Sequence, residues 1–195
     1  MTGTTDTAAG RSAHRPFRVL VVCTGNICRS PMGAVVLRER LREAGLAEAV
    51  EVESAGISDD EHGNPIDPRA RTVLAEHDYP VPEHSAHQVA PHELADFDLA
   101  LAMTGQHERV LRRRAERDGD ERTAEIRLWR EFDASAPERG TVRDYDLDVP
   151  DPWYGTQDGF YGTLDAVERG AEGLVSYIKE QLGAGDVPGS SATGR

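Results

Sequence analysis

The sequence predicts an α/β protein built on a four-stranded, parallel, doubly wound sheet with helices on both faces. Segments with strand character and segments with helix character alternate four times along the chain, which is typical of a parallel sheet with crossover helices. Residues 19–22 of the first strand are apolar at successive positions, as expected for a strand that is buried on both faces. Helix caps and Gly or Pro stop signals separate the segments.

The predicted strands are short apolar runs bounded by polar or turn-forming residues. The second strand alternates apolar and acidic positions and ends at Ala55 and Gly56. A short extended piece is also predicted at residues 84–89. In chain order, the four predicted strands are residues 17–22, 50–54, 98–103 and 125–129.

The first two helices are predicted from spacing and from capping residues. Apolar residues recur at helical spacing between Pro31 and Gly45, and the glycine is a stop signal. Asp67 and Pro68 read as an N-cap followed by a proline at the first helical position. The second helix is therefore expected to run to about His77.

The last two helices follow the third and fourth strands. Thr104 is the predicted cap of a helix that runs to about Glu116, and its Arg112-Arg-Arg run is interpreted as a solvated face. An amphipathic pattern predicts the final helix from about Phe160 to Leu182. Residues 91–94 are predicted to form a brief helix.

The 195 residues are expected to form one domain between two tails. Residues 1–15 contain mainly Thr, Ala, Gly and charged side chains, which predicts a disordered N-terminal tail. The domain is assigned to residues 16–183. Residues 184–195 are rich in Gly and Ser and are expected to be a flexible C-terminal tail.

Composition excludes several classes of partner. The net charge of −13, from 22 basic and 35 acidic residues, argues against a nucleic-acid partner, which would need a basic face. No apolar run reaches the ~18 residues of a membrane span, and the N-terminus lacks the apolar core of a signal peptide. Two cysteines do not make a disulfide framework and suit a reducing compartment. A cytoplasmic protein is expected, although export without a signal peptide stays open.

The segment between the first strand and the first helix carries the chemistry. A free thiol with a pKa of about 8.5 is mostly protonated at neutral pH, so a reactive cysteine needs groups that stabilise its anion. The helix N-terminus offers unsatisfied N–H groups and the positive end of its dipole. Gly25 and Asn26 tolerate the positive φ angles of an anion-binding nest. Ser30 can donate its hydroxyl to the Cys23 thiolate.

The same devices bind a dianionic phosphate. Arg29 adds a fork of donors that matches two phosphoryl oxygens, which a lysine would match less well. Cys23 is therefore the predicted nucleophile, at the base of an anion-binding loop. The predicted phosphate-binding loop comprises Thr24, Gly25, Asn26, Ile27, Cys28, Arg29 and Ser30.

The string Cys23-Thr-Gly-Asn-Ile-Cys-Arg-Ser-Pro31 resembles the signature of the low-molecular-weight protein tyrosine phosphatases of the bacterial type. The resemblance covers roughly residues 17–182. It implies hydrolysis of phosphotyrosine in proteins through a phosphocysteine intermediate, without metal or organic cofactor. It also implies phosphate or other oxyanions in the active site and a monomer or weak dimer.

Asp151 is the predicted general acid. A phenolate leaving group departs more easily when it receives a proton, an effect worth ~10²–10⁴ in rate, and prolines on both sides fix the backbone of Asp151. The string Asp151-Pro-Trp-Tyr-Gly155 resembles the family's second signature, in which this aspartate is the acid and later activates water. A rigid Asp-Pro turn is the alternative interpretation.

Four residues are predicted to form the substrate slot. Trp153 and Tyr154 resemble its aromatic wall, and Thr24 and Ile27 are expected to point into it from the loop. A relative that hydrolyses phosphoarginine typically has Thr where Ile27 stands, so Ile27 favours phosphotyrosine. The aromatic pair also fits plain core packing.

Support and redox roles follow from the resemblance. Asn26, Ser54 and His84 resemble the network that holds the loop. Cys28 resembles the family's second thiol, which forms a reversible disulfide with the nucleophilic cysteine, here Cys23. The alternative interpretation is that Cys28 is a small residue packed in the core. The pair of His84 and His87 lacks further ligands, so no metal site is predicted, and the remaining histidines carry no signal.

Three other functions remain as alternatives. Arsenate reductases share the fold and loop, but the thioredoxin-linked type needs further cysteines that this chain lacks. A protein arginine phosphatase and a non-catalytic phospho-binding or redox-sensing module complete the set. Residues 58–61 read Ser-Asp-Asp-Glu where relatives often carry an aromatic residue, which predicts an acidic rim that favours substrates with basic flanks.

Overall fold

The computed structural model describes residues 15–141 and 143–185. Residues 1–14 and 186–195, which make up most of the two predicted tails, therefore lie outside the described residues. Within the described part of the chain, no helix is long and apolar enough to cross a membrane.

The predicted four-stranded parallel sheet is confirmed. Its strands are β1 (Phe17–Cys23), β2 (Val50–Gly56), β3 (Leu99–Ala102) and β4 (Glu125–Leu128). They lie in the order β2-β1-β3-β4, and every neighbouring pair is parallel. The chain leaves β1 toward one edge to form β2 and returns on its other side to form β3, so a switch point lies at the carboxyl ends of β1 and β3.

The sheet is covered on both faces. Its four helices are α1 (Arg29–Glu43), α2 (Pro68–Glu76), α3 (Gly105–Asp118) and α4 (Gln157–Gly185). Val19 and Val21 of β1 share a core with α1, α2 and α4. Leu20 and Val22 face the opposite core, which includes Leu111 of α3. Alternate residues of one strand therefore bury against different helices, as the pleat requires.

Several element boundaries differ from the predictions. The first helix begins at Arg29 rather than Pro31, so the two residues before the proline form its first turn. The last helix continues through Gly183 to Gly185, because a single glycine costs a helix only about 1 kcal/mol and need not stop it. The brief helix predicted at residues 91–94 is a 3₁₀ turn at Glu93–Asp96.

Candidate active site

Cys23 is the last residue of β1 and lies at the switch point. It pairs with Gly56 in the register of β1 and β2, and its carbonyl accepts a hydrogen bond from the Ile57 N–H at 2.9 Å. The Cys23 Sγ atom is 3.0 Å from Ser30 Oγ. The buried thiol therefore lies at the base of the loop that the sequence predicted.

Asn26 holds the loop in shape. Its φ of 59° lies in the left-handed region, where asparagine is one of the few tolerated residues. Its Nδ2 donates to Ser30 Oγ and to Ser54 Oγ, each at 3.0 Å. Its carbonyl accepts from His84 Nε2 at 2.6 Å. The structure thus brings together the three predicted support residues, Asn26, Ser54 and His84.

Two histidines contribute to this network in different ways. Burial lowers the pKa of His84, so the ring is neutral near pH 7 and its Nε2–H is free to donate to Asn26. His87 takes part through its backbone N–H, which donates to Asn26 Oδ1 at 3.2 Å. The described residues contain no cluster of His, Cys, Asp and Glu that could hold a metal ion.

Ser30 has one hydroxyl proton and two possible acceptors. It already accepts from Asn26, and its proton can go to the Ala55 carbonyl at 3.2 Å or to Cys23 Sγ. A charged acceptor makes a hydrogen bond roughly twice as strong as a neutral one. When Cys23 is a thiolate, the Ser30 proton is therefore directed to sulfur.

The N-terminus of α1 faces the loop. Cys28 is its N-cap residue but provides no side-chain cap, and the first turn contains no acidic residue. The positive end of the helix dipole is therefore available to an anion. Burial raises the pKa of the Cys28 thiol, so this second cysteine stays protonated, and both cysteines are free.

Arg29 joins the loop to the predicted acid. Its guanidinium is buried, and Nη2 donates to Asp151 Oδ2 at 2.7 Å. The same nitrogen lies 3.4 Å from Thr24 Oγ1. Asp151, 122 positions further along the chain, thus meets the phosphate-clamp residue that the sequence predicted.

The segment around Asp151 is anchored on the N-terminal side of α4. The Val149 N–H donates to the Met103 carbonyl at 2.8 Å, and Thr163 Oγ1 donates to the Pro150 carbonyl at 3.2 Å. The Asp151 Oδ1 atom accepts from the Trp153 N–H at 3.1 Å. These bonds fix where the carboxyl group can reach.

Arg69 is a second anchor, which the sequence did not reveal. Its Nη1 donates to the Trp153 and Gly155 carbonyls at 3.3 and 3.1 Å. Its guanidinium also lies over the Trp153 and Phe160 rings, 5.7 and 4.6 Å from their centroids. Asp67, the cap of α2, holds the same guanidinium at 3.0 Å. Arg69 therefore ties the aromatic segment to α2.

These residues surround a cleft of about 350 Å³. Trp153 is 39% exposed and Tyr154 is 93% exposed, so core packing does not account for them. Asp60 and Glu61 also line the cleft, together with Gln106. The remaining lining residues include Cys23, Thr24, Gly25, Ile27, Cys28, Arg29, Ser58 and Asp151.

His107 is a buried residue that the sequence did not single out. It lies in the first turn of α3, is 2% exposed, and its Nε2 is 3.0 Å from Thr24 Oγ1. Burial, and secondarily the charge of Arg29, lowers the pKa of His107 to about 3. The available signal was positional, because a residue just after β3 lies at the same sheet edge as the loop after β1.

Comparison with known proteins agrees with this geometry. Residues 18–184 match the family model described as low molecular weight phosphotyrosine protein phosphatase. A low molecular weight protein-tyrosine-phosphatase of Streptomyces coelicolor is 43% identical over 166 residues, which cover 85% of this chain and 96% of that protein. A low molecular weight protein-tyrosine phosphatase A of Mycobacterium tuberculosis is 41% identical over 167 residues, covering 86% and 94%.

A solved structure shows the same fold. The crystal structure of YfkJ from Bacillus subtilis matches with a TM-score of 0.74 and 28% sequence identity. The match covers 87% of this chain and 98% of that chain. The similarity therefore spans the whole sheet and its helices rather than the loop alone.

Proposed function

The chain belongs to the low-molecular-weight phosphotyrosine protein phosphatases, and from that premise we propose roles for its site residues. The protein is a cysteine-based hydrolase of phosphotyrosine. In our proposal Cys23 is the nucleophile, Arg29 and the loop amides clamp the phosphoryl group, and Asp151 is the acid and base. The observation that carries the assignment is the contact of Arg29 with Asp151 beside the Cys23 thiol.

In the first step, the phosphoryl group of the substrate enters the loop. Arg29 exchanges its contact with Asp151 for two phosphoryl oxygens, because its fork of donors suits that group. The Cys23 thiolate attacks phosphorus, forming an S–P bond while the bond from phosphorus to the tyrosine oxygen breaks. Asp151, which binds a proton from solvent once it has left Arg29, gives that proton to the oxygen, and tyrosine leaves as a neutral phenol.

In the second step, water attacks the phosphocysteine. Asp151, now a carboxylate, accepts a proton from the water as a P–O bond forms. The S–P bond breaks, and the electron pair returns to Cys23 as a thiolate. Ser30, 3.0 Å from Cys23 Sγ, stabilises this leaving group, and inorganic phosphate dissociates.

The slot favours an aryl phosphate. Trp153 and Tyr154 line one side of the cleft, and Thr24 and Ile27 line the loop side. An apolar side chain such as Ile27 offers no hydrogen bond to a guanidinium, which supports phosphotyrosine over phosphoarginine. The two cysteines of the chain leave no further thiol for a thioredoxin-linked arsenate reductase.

We propose that the natural substrates are proteins whose phosphotyrosine has basic neighbours. Asp60 and Glu61 are charged residues that line the cleft, and we infer that the residues flanking the phosphotyrosine pass close to them. We also propose that the domain, residues 16–183, works as a monomer or weak dimer in the cytoplasm. A nucleophilic thiol must stay reduced, which supports a reducing compartment.

The reversible disulfide between Cys23 and Cys28 remains part of the proposal. Both thiols line the same cleft and both are free in the structure. A disulfide would convert an easily over-oxidised thiolate into a form that thiols can reduce. Cys28→Ser should then leave turnover intact. After inactivation by peroxide, however, added thiols should no longer restore the activity of this variant.

Hydrolysis of p-nitrophenyl phosphate across pH, without added metal, tests the proposal. Cys23→Ser should abolish turnover, and Asp151→Asn should slow it by ~10²–10⁴ and change the pH profile. Asp158→Asn, a matched change at an exposed carboxyl group in the first turn of α4, should have little effect. An inert wild-type protein, or full activity of Cys23→Ser, would contradict the assignment.

A further inference from the structure

A chain of hydrogen bonds runs from α3 to the phosphate clamp. His107 Nε2 meets Thr24 Oγ1 at 3.0 Å, and the same oxygen is 3.4 Å from Arg29 Nη2. Thr24 itself is exposed to the cleft, whereas His107 is buried beneath it. The Thr24 hydroxyl is thus the point where a buried imidazole reaches the phosphate-binding loop.

The other ring nitrogen decides the direction of the hydrogen bond. Among the described residues, His107 Nδ1 is buried and has no hydrogen-bond partner. A buried N–H without a partner is rarer, and costs more, than a bare acceptor. The favoured tautomer of this neutral ring therefore carries its proton on Nε2 and donates it to Thr24.

Donation by His107 leaves the Thr24 proton free. The threonine oxygen has two lone pairs and one proton, and its two neighbours, His107 and Arg29, are both donors. Neither can accept the Thr24 proton, so that proton must point elsewhere. The open direction is the cleft, because Thr24 is exposed on that side.

We propose that His107 is a positioning residue that donates its Nε2–H to Thr24 and thereby turns the Thr24 hydroxyl proton toward the bound phosphoryl group. The loop then gains a side-chain donor beside its amides and Arg29. The inference rests on the proposed role of the loop as the phosphate site. It assigns no proton transfer to His107.

A double-mutant cycle between His107 and Thr24 tests this proposal. The probes are p-nitrophenyl phosphate as substrate and inorganic phosphate as competitive inhibitor. His107→Leu should raise the KM and the phosphate inhibition constant together, by roughly tenfold to a hundredfold for one lost hydrogen bond to a charged group. The kcat should stay within about twofold, because the lost contact serves substrate and transition state alike.

The cycle supplies the decisive comparison. Thr24→Val should show the same increase in the KM and in the phosphate inhibition constant. In the double variant, neither constant should rise above its value in Thr24→Val alone. His107→Gln should rescue His107→Leu, because its amide N–H can reach the position of Nε2. If the losses of the two single variants multiply in the double variant, or if His107→Leu matches the wild type, the proposal is wrong.

Two safeguards keep the outcome interpretable. If His107→Leu does not fold, His107→Asn replaces it, because its amide is polar but ends at the level of Nδ1, short of Thr24. If His107→Asn and His107→Gln then have the same KM and the same phosphate inhibition constant, the proposal is wrong. A wild-type protein that hydrolyses no aryl phosphate would refute the proposed function instead, and is thus distinguishable from failure of this inference.

Discussion

Burial of His107 should make the stability of the protein fall in mild acid, and His107→Gln should remove that fall. The folded protein holds this ring neutral, with a pKa of about 3, against an ordinary value of 6.5. Below pH 6.5 the unfolded chain binds a proton at this site that the folded chain does not. Stability therefore decreases as the pH drops through the window from about 6.5 to about 3.

The size of the effect follows from the two values. At pH 5, protonation of His107 in the unfolded chain lowers the free energy of unfolding by about 2 kcal/mol. This is because pH 5 lies about 1.5 units below the ordinary pKa, and each unit contributes about 1.4 kcal/mol. The figure is nearly the same for any folded-state pKa below about 4, because at pH 5 the folded ring would still be neutral. His84 also has a lowered pKa, but it is present in both proteins and cancels in the difference.

Urea unfolding at pH 7.5 and pH 5.0 measures the prediction. Between these two pH values the wild-type protein should lose about 2 kcal/mol more than His107→Gln. His62→Gln is the matched control, because it removes a histidine whose ring is largely exposed rather than buried. Equal losses for the wild type and His107→Gln would refute the reasoning.

Two further predictions concern the loop and its rim. Gly56→Ala should lower both activity and Tm, because a Cβ there would lie 2.6 Å from the Thr24 carbonyl oxygen. The control is Gly162→Ala, whose Cβ would meet nothing within 4 Å and which should stabilise its helix by up to about 1 kcal/mol. Equal Tm values for the two variants would contradict this prediction. Asp60→Asn with Glu61→Gln should reduce the preference for phosphotyrosine peptides with Lys or Arg neighbours, measured as kcat/KM against matched acidic peptides. If the wild type shows no such preference, the acidic rim has no role in selection.

The parts of the site that the sequence predicted are those with local signals. The loop from Cys23 to Ser30 combines a strand end, a residue with positive φ and a helix start within a few positions. Asp151 stands between two prolines that fix its backbone, but its role as the acid was predicted from the resemblance of residues 151–155 to the family's second signature. Asn26 and its partners were found through the resemblance, because their contacts span tens of positions.

Residues that act only through tertiary contact were not predicted. His107 meets Thr24 across 83 positions, and Arg69 meets the Trp153 carbonyl across 84. Neither stands in a pattern that distinguishes it from a surface residue, and only the register of the sheet brings it to the site. Their roles therefore needed the packed structure.

The Arg112-Arg-Arg run shows the same limit in a different form. Arg112 and Arg113 are exposed, as its interpretation as a solvated face requires, but Arg114 is half-buried and binds two backbone carbonyls. Arg112 donates to the Ile126 carbonyl at 3.0 Å, and Arg114 donates to the Val89 and Ile57 carbonyls at 2.9 and 2.7 Å. Long side chains can lie along a helix and bind carbonyls at a sheet edge, so charge alone does not predict exposure.

In the proposed mechanism, the contact between Arg29 and Asp151 lets one buried cation take part in both phosphate binding and the release of the acid. The buried Arg29 guanidinium is paired with the Asp151 carboxylate at 2.7 Å, which avoids the cost of an unpaired buried charge. A phosphoryl dianion offers two oxygens in place of one carboxylate oxygen, so it displaces Asp151. In the proposed mechanism the displaced Asp151 carboxylate binds a proton from solvent beside the phosphoryl dianion, gives it to the leaving oxygen, and pairs with Arg29 again as a carboxylate when phosphate departs.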